Sequence, residues 1–186
     1  DGCDDFAFGE DRNDDVNSDR GAVTIVMGSG GPSCPASWTT LRLLPPNDYR
    51  YTGWSVAGGG DIDGDGIQDL LVGVPYDSTV LKPGRAVLVS GAYVTKLVAD
   101  GVAEAPLLDP DNQENPEMIG NANKGYCGVC GALLPDYESD GRAAAAMGCR
   151  RGKYGGMERA GGAGARCLPA PFRTVPCASH SHHITP

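Results

Sequence analysis

The feature of the sequence best suited to chemistry is an acidic loop of nine residues, Asp61–Asp69. Carboxylates occupy its first, third, fifth and ninth positions, and glycines occupy the fourth and sixth. Calcium takes about six to eight oxygen ligands, and alternate residues of a curled chain converge on one point. Glycine readily adopts the positive φ that such a curl needs. The predicted calcium ligands are four carboxylates and one main-chain carbonyl: Asp61, Asp63, Asp65, Asp69 and Ile67.

An EF-hand is the nearest alternative for this loop, because it shares the Asp-x-Asp-x-Asp-Gly opening. An EF-hand also needs a bidentate Glu at position 12 of the loop, where this chain has Val72. The flanking residues are typical of strands rather than helices. The sequence therefore favours a metal loop between two β-strands.

Two further segments resemble parts of this loop. Asp1 and Asp5 match the last two carboxylates and indicate a partial loop at the start of the chain. The third copy offers a weaker set of ligands, namely Asp136, Glu138 and Asp140. Its position equivalent to Asp69 is Ala144, so a structural turn and a weak metal site are equally good interpretations.

The acidic loops belong to an internal repeat. The segment 1–9 aligns with 65–73 at an offset of 64, and 21–28 aligns with 84–91 at an offset of 63. A weaker third copy follows, in which 125–129 resembles 53–56 and 136–141 resembles 61–66. Two motifs that keep their order and spacing predict three repeats, at about 1–52, 53–115 and 116–149.

Each repeat has the pattern of several short strands separated by glycine-rich turns. In the second repeat the predicted strands are Trp54–Ala57, Asp69–Val74 and Arg85–Ser90, with Tyr93–Val98 or Leu107–Leu108 as the fourth. Four antiparallel strands per repeat are typical of a propeller blade. A β-sandwich is the alternative, but it does not predict the same motif twice in register. The predicted fold is all-β, a partial β-propeller of two to three four-stranded blades.

Charge divides the chain into an acidic body and a basic tail. The net charge is −9, and residues 1–149 hold 23 Asp/Glu against 9 Lys/Arg. An acidic body repels phosphates, which argues against nucleic-acid binding. Residues 150–186 are rich in Gly, Ala and Arg, and we predict that they are disordered or foreign to the fold. No apolar run is long enough to span a membrane, which needs about 20 residues.

Cysteine and histidine give weaker signals. The seven cysteines fit an oxidising compartment, with an incidental disulfide or buried thiols as the favoured state. Cys127 and Cys130 have the spacing of half a zinc site, which is the alternative. The three histidines, His180, His182 and His183, all lie near the end of the sequence, away from the acidic body. We therefore predict no catalytic residues.

The glycine-rich strands and the acidic loop together resemble FG-GAP repeats, the units of the integrin α-subunit propeller and of related secreted proteins. The resemblance rests on 53–57, on 61–75 with its Gly-Val-Pro ending, and on 84–91. It implies a four-stranded blade that holds calcium between its first two strands. It also implies an extracellular or cell-surface location, protein or glycan partners, and further blades that this chain does not contain.

These observations lead to one main functional hypothesis and two alternatives. The main hypothesis is a non-enzymatic, calcium-binding module for adhesion or recognition. The first alternative is an accessory propeller domain of a secreted hydrolase whose catalytic part lies outside this chain. The second is a cytosolic zinc protein that uses the Cys- and His-rich end of the sequence.

Overall fold

Short strands dominate the computed structural model, which describes residues 3–13, 19–29, 37–77, 83–111, 117–119, 126–134, 136, 141–154 and 157–164. Among these residues there are thirteen strands and one helix. In chain order they are β1 Phe6–Gly9, β2 Val23–Ser29, β3 Ser37–Leu44, β4 Tyr49–Arg50, β5 Val56–Gly60, β6 Asp69–Val74, β7 Tyr76–Asp77, β8 Arg85–Val89, α1 Gly91–Ala99, β9 Glu104–Pro106, β10 Glu117–Ile119, β11 Cys127–Leu134, β12 Ala144–Tyr154 and β13 Met157–Gly164.

The first sheet has the strand order β1-β2-β3-β9. Its first three strands are antiparallel, whereas β9 pairs in parallel with β3. Side chains alternate between the two faces of a strand. Val23 and Ile25 on β2 therefore share one face with Leu41 and Leu43 on β3, and all four are buried.

The second sheet has the order β10-β8-β6-β5, and every pairing in it is antiparallel. Both of its faces are buried. Val72 and Val74 pack toward the first sheet, whereas Leu71 packs on the opposite side. A strand that is buried on both faces needs a continuous apolar run, which explains the sequence Leu70–Val74.

The third sheet contains β11, β12 and β13 in that order, and a two-stranded sheet pairs β4 with β7. A disulfide joins Cys127 to Cys149, which are partners in the β11–β12 register. Cys3 is also disulfide-bonded, while Cys130 is free and exposed. The zinc alternative at Cys127 and Cys130 is therefore not realised.

The three larger sheets pack face to face with the second sheet in the middle. One core lies between the first and second sheets and also receives Tyr93 and Val94 of α1. The other core lies between the second and third sheets and includes Leu71, Leu88 and Met147. Stacked and mainly antiparallel sheets of this size are consistent with a partial propeller, so the predicted all-β fold class is confirmed.

Glycine pairs bring the backbones together at both junctions between these sheets. A Cβ atom added to Gly9 would lie 1.7 Å from the carbonyl oxygen of Gly53. At the next junction, a Cβ added to Gly73 would lie 2.0 Å from the carbonyl oxygen of Gly128. Gly9 and Gly73 are equivalent at the offset of 64, so the two junctions repeat the same close approach.

A second contact is also repeated. Gly21 forms an isolated parallel bridge with Thr52, and Gly84 forms one with Cys127. The two glycines have similar positive φ values, 74° and 71°. These contacts make Gly128 the equivalent of Gly53, whereas the sequence alignment had placed Gly125 there. The structural equivalence of this motif is therefore shifted by three residues from the sequence alignment.

The region after β8 differs from the prediction. Tyr93–Val98 was expected to supply a fourth strand, but it lies in α1, and Leu107–Leu108 lies outside the strands. The Ser90 side chain caps the helix by accepting the Ala92 N–H. Tyr93, Val94, Leu97 and Val98 recur with helical spacing and pack on the first core. The fourth strand of the second sheet is β10 instead.

The predicted boundary between the body and the tail, at residue 149, lies within strand β12. Strand β12 continues through Tyr154 and pairs with β13, which ends at Gly164. A β-ladder is held by main-chain hydrogen bonds, so low apolar content did not prevent strand formation there. The rest of the predicted tail, residues 165–186, lies outside the described residues. Among the described residues, no helix has the length and apolar character needed to cross a bilayer.

Candidate metal centre

The acidic loop connects the end of β5 at Gly60 to the start of β6 at Asp69. Both flanking elements are strands, which excludes the EF-hand alternative. Ile62 anchors the loop, since its side chain is buried in the core between the second and third sheets. The Asp61 carbonyl accepts a hydrogen bond from the Ala143 N–H at 2.6 Å. The loop is therefore held against the third sheet from two sides.

Three of the predicted ligand side chains converge. Carboxylate oxygens of Asp61, Asp63 and Asp65 all lie within 4.8 Å of one another. The two oxygens of Asp61 accept the N–H groups of Gly64 and Gly66, at 2.6 and 2.8 Å. Both glycines have positive φ, 84° and 88°, so the curl that the sequence predicted is present.

The convergence concentrates negative charge in a small volume. Partial burial raises the pKa of Asp63, and repulsion from Asp65 and Asp61 raises it further. The Asp65 N–H, which donates to Asp63 at 3.1 Å, acts in the opposite direction. A bound cation would relieve this repulsion, and the available donors are hard oxygen atoms of the kind that calcium prefers.

Asp69 lies deeper than the other three aspartates. Only 2% of it is exposed, and its two oxygens accept the N–H groups of Ile62 and Gly91 at 2.7 and 2.9 Å. Burial raises the pKa of Asp69 to about 6, although the two main-chain bonds act against this. Asp69 therefore ties the start of the loop and the start of α1 to β6. Its role as a metal ligand, like that of the Ile67 carbonyl, stays a prediction.

The first repeat reproduces part of this arrangement. Asp5, the equivalent of Asp69, accepts the N–H of Gly28 at 2.9 Å, as Asp69 accepts that of Gly91. Both carboxylates line a cleft of about 630 Å³ between the first and second sheets. Asp1, the other residue predicted for this partial loop, lies outside the described residues.

The third repeat reproduces a different part. Asp136 accepts the Gly141 N–H at 2.8 Å, which matches the bond between Asp61 and Gly66. Gly141 has φ of 85°, so this loop begins with the same curl. Glu138 and Asp140, the other two predicted ligands, lie outside the described residues. Both interpretations of this loop, a turn and a weak metal site, remain open predictions.

Sequence reasoning did not identify three residues that shape the loop. Ile62 and Gly91 supply the N–H groups that hold Asp69. Arg142 lies beside Gly64, where an added Cβ would be 3.0 Å from its Nε atom. One signal was available for Gly91, because the repeat aligns it with Gly28.

Comparison with known protein families identifies one part of this chain. That part comprises the acidic loop, the two strands that flank it and the strands that follow. Residues 52–89 match the FG-GAP repeat family. The matched segment contains β5, the acidic loop, β6, β7 and β8, and it supplies three of the four strands of the middle sheet. No curated protein sequence matches the chain.

Proposed function

We propose that the FG-GAP repeat binds calcium and that the chain is a calcium-stabilised adhesion or recognition module. The observation that carries this proposal is the convergence of Asp61, Asp63 and Asp65 oxygens within 4.8 Å at the turn between two strands. The remaining ligands in the proposal are the Asp69 carboxylate and the Ile67 carbonyl. An all-oxygen donor set suits calcium better than zinc, which favours His and Cys ligands.

The proposed role of the metal is structural. Calcium would supply positive charge that offsets the mutual repulsion of the carboxylates. The protein's own hydrogen bonds shape the loop. Asp61 holds the curl by accepting the N–H groups of Gly64 and Gly66, and Asp69 links the loop to α1. Binding would therefore stabilise the pairing of β5 with β6.

The proposed setting is outside the cell or at its surface, with a protein or glycan as partner and without catalysis. The Cys127–Cys149 disulfide supports this setting, because disulfides persist in oxidising compartments. FG-GAP repeats are typically non-catalytic modules. Arrays of proteins and glycans, probed with and without a calcium chelator, test the recognition role, and binding that the chelator abolishes is the expected result.

The metal site is tested by thermal unfolding during a calcium titration. Binding to the native state alone adds about 2.7 kcal/mol of stability at a calcium concentration 100 times the Kd. For a chain of this size the midpoint should rise by roughly 5–10 °C. Asp65→Asn should abolish the rise, because it removes one charge from the cluster.

The matched control is Asp111→Asn, which changes an exposed aspartate outside the loop. This variant should keep the full calcium response. A folded wild-type protein whose midpoint does not move in millimolar calcium would contradict the proposal. An equal response in Asp65→Asn would contradict the assignment of the site.

A further inference from the structure

The outward face of the first sheet carries three large aromatic side chains in mutual contact. Phe6, Phe8 and Trp38 are 52%, 46% and 53% exposed. The Phe6 ring lies 6.4 Å from that of Phe8 and 5.9 Å from that of Trp38, measured between centroids. We call this surface the rear face of the first sheet. A contiguous exposed aromatic patch marks an interaction surface more often than a random surface does.

The repeat shows what covers a face of this kind. At the offset of 64, Phe6 and Phe8 are equivalent to Leu70 and Val72 on β6. In the second sheet those residues pack against the first sheet, and Val72 is fully buried. Leu70 and Val72 thus mark the rear face of the second sheet. This rear face is covered by the opposite face of the first sheet, which carries Val23 and Ile25. We call that opposite face of each sheet its front face.

The same order of faces is found at the next junction, between the second and third sheets. The front face of the second sheet, with Leu71 and Leu88, packs on the rear face of the third, which carries Ala145 and Met147. The close glycine contacts and the parallel bridges recur at both junctions. At both junctions the front face of one sheet therefore packs on the rear face of the next. The close main-chain contacts set the distance between the two sheets.

The third sheet presents the complementary surface. Cys130, Ala132 and Leu134 alternate along β11 on the side away from the second sheet, and all three are exposed. We call this surface the front face of the third sheet. Cys130 is equivalent to Ser55, whose hydroxyl donates to the Gly128 carbonyl across the preceding junction at 3.0 Å.

We propose that the rear face of the first sheet binds the front face of the third sheet in a second copy of this chain. The proposed contact keeps the same order of faces, front on rear, as the two junctions within the chain. The two faces are also complementary in size, because the large rings of Phe6, Phe8 and Trp38 would meet the small side chains of Cys130 and Ala132. A contact between different faces is heterologous, so copies associate head to tail. This inference is independent of calcium binding.

Sedimentation velocity of the full chain over a concentration series is the first test. Concentration-dependent association is expected, with a dissociation constant on the order of 1–100 µM. Trp38→Ser should weaken it by about tenfold or more, since buried aromatic residues dominate such contacts. The matched control is Trp54→Ser, which removes another tryptophan of similar exposure, 45%, outside both faces.

The outcomes are decisive in both directions. A folded wild-type chain that stays monomeric at the highest concentration would overturn the proposal, and so would equal association of wild type and Trp38→Ser. Phe8→Ser serves in place of Trp38→Ser if that variant fails to fold, because Phe8 is also about half exposed.

A cross-linking experiment tests which faces meet. Thr40 is exposed on the same face as Phe6, because both are register partners of Val26. Thr40→Cys, oxidised at a concentration where the chain associates, should form an intermolecular disulfide with the free thiol of Cys130. Peptide mass spectrometry identifies the linked pair. A link from position 40 of one copy to position 40 of another would instead show a symmetric contact of two rear faces, and it would overturn head-to-tail association.

Discussion

Asp69 differs from the other loop aspartates in what it does without a metal. Asp61, Asp63 and Asp65 accept hydrogen bonds from nearby residues of the exposed loop. Asp69 is buried and accepts two main-chain N–H groups, from residues 7 and 22 positions away. Its carboxylate therefore contributes to folding as well as to the proposed metal site.

The first prediction at this scale concerns the folded chain in the absence of calcium. Asp69→Ala should lower the free energy of unfolding by about 2–4 kcal/mol, because it leaves the N–H groups of Ile62 and Gly91 without an acceptor. Asp65→Ala should cost less than about 1 kcal/mol, because Asp65 is exposed. Urea unfolding in a chelating buffer measures both.

Asp5→Ala is the internal control for this interpretation. Asp5 is exposed and holds one N–H, that of Gly28, so its loss should cost roughly 1 kcal/mol. Equal costs for Asp69→Ala and Asp65→Ala would show that Asp69 does not brace the loop.

Much of the site was predictable from spacing alone. The alternation of Asp61, Asp63 and Asp65 with two glycines implies a curl that brings their carboxylates together, and they do converge. The partners of Asp69 were not predictable from the loop. The N–H of Gly91 reaches it only because β6 and β8 pair, which is a tertiary contact.

At the scale of elements, a polar contact links β4, β8 and β10. Glu117 accepts from the Arg85 guanidinium at 2.7 Å and from the Tyr49 hydroxyl. The Arg85 guanidinium also lies over the Tyr49 ring, 4.7 Å from its centroid. Burial raises the pKa of Glu117 to about 7, and the Asp48 carboxylate adds to the shift.

This shift predicts a pH dependence of stability. A carboxyl group whose pKa rises on folding binds more protons in the folded state than in the unfolded state. Its contribution is therefore full below pH 4.5, the unfolded value, and is lost as the pH rises to about 7. The loss should be on the order of 1–3 kcal/mol. Thermal unfolding between pH 4.5 and 8 measures it.

Glu117→Gln should flatten this part of the profile, because the amide does not titrate. Glu104→Gln is the control, since Glu104 pairs with Arg42 at a more exposed position and its loss should leave the slope unchanged. A slope that is the same in wild type and Glu117→Gln would contradict the assignment to Glu117.

The elements were predicted unevenly. Strands with strong glycine punctuation, such as β6 and β8, were identified within one or two residues. The segment Tyr93–Val98 contains β-branched and aromatic residues, which favour strands, yet it is helical. The Ser90 cap and the packing of its apolar stripe on the first core outweigh that local preference.

At the scale of the whole molecule, stacking depends on close main-chain contacts at the junctions. Gly73→Ala should lower the free energy of unfolding by about 3 kcal/mol or more, because its Cβ would lie 2.0 Å from the Gly128 carbonyl oxygen. The backbone on both sides must then move apart. Urea unfolding gives the change directly.

Gly58→Ala is the matched control on the neighbouring strand. Its added Cβ would be 3.6 Å from Leu70 Cδ1, an ordinary contact, so the change should stay within about 0.5 kcal/mol. Similar effects of the two substitutions would show that the junction is more tolerant than its geometry indicates.

The stack of similar sheets was predictable because the repeat motifs keep their spacing in the sequence. The contribution of β9 was not. Glu104–Pro106 follows α1 in the second repeat, yet it pairs in parallel with β3 of the first sheet. Nothing in three residues of sequence indicates a partner from another repeat, because short strands take their pairing from the fold around them.

That pairing affects how such a chain can be divided or recombined. A cut between residues 52 and 53 would follow the sequence repeat but would separate the first sheet from its fourth strand. Duplication or exchange of a single repeat would therefore leave an incomplete sheet behind. The smallest transferable unit in this arrangement is a pair of adjacent repeats, even though the motif that recurs in the sequence is half that length.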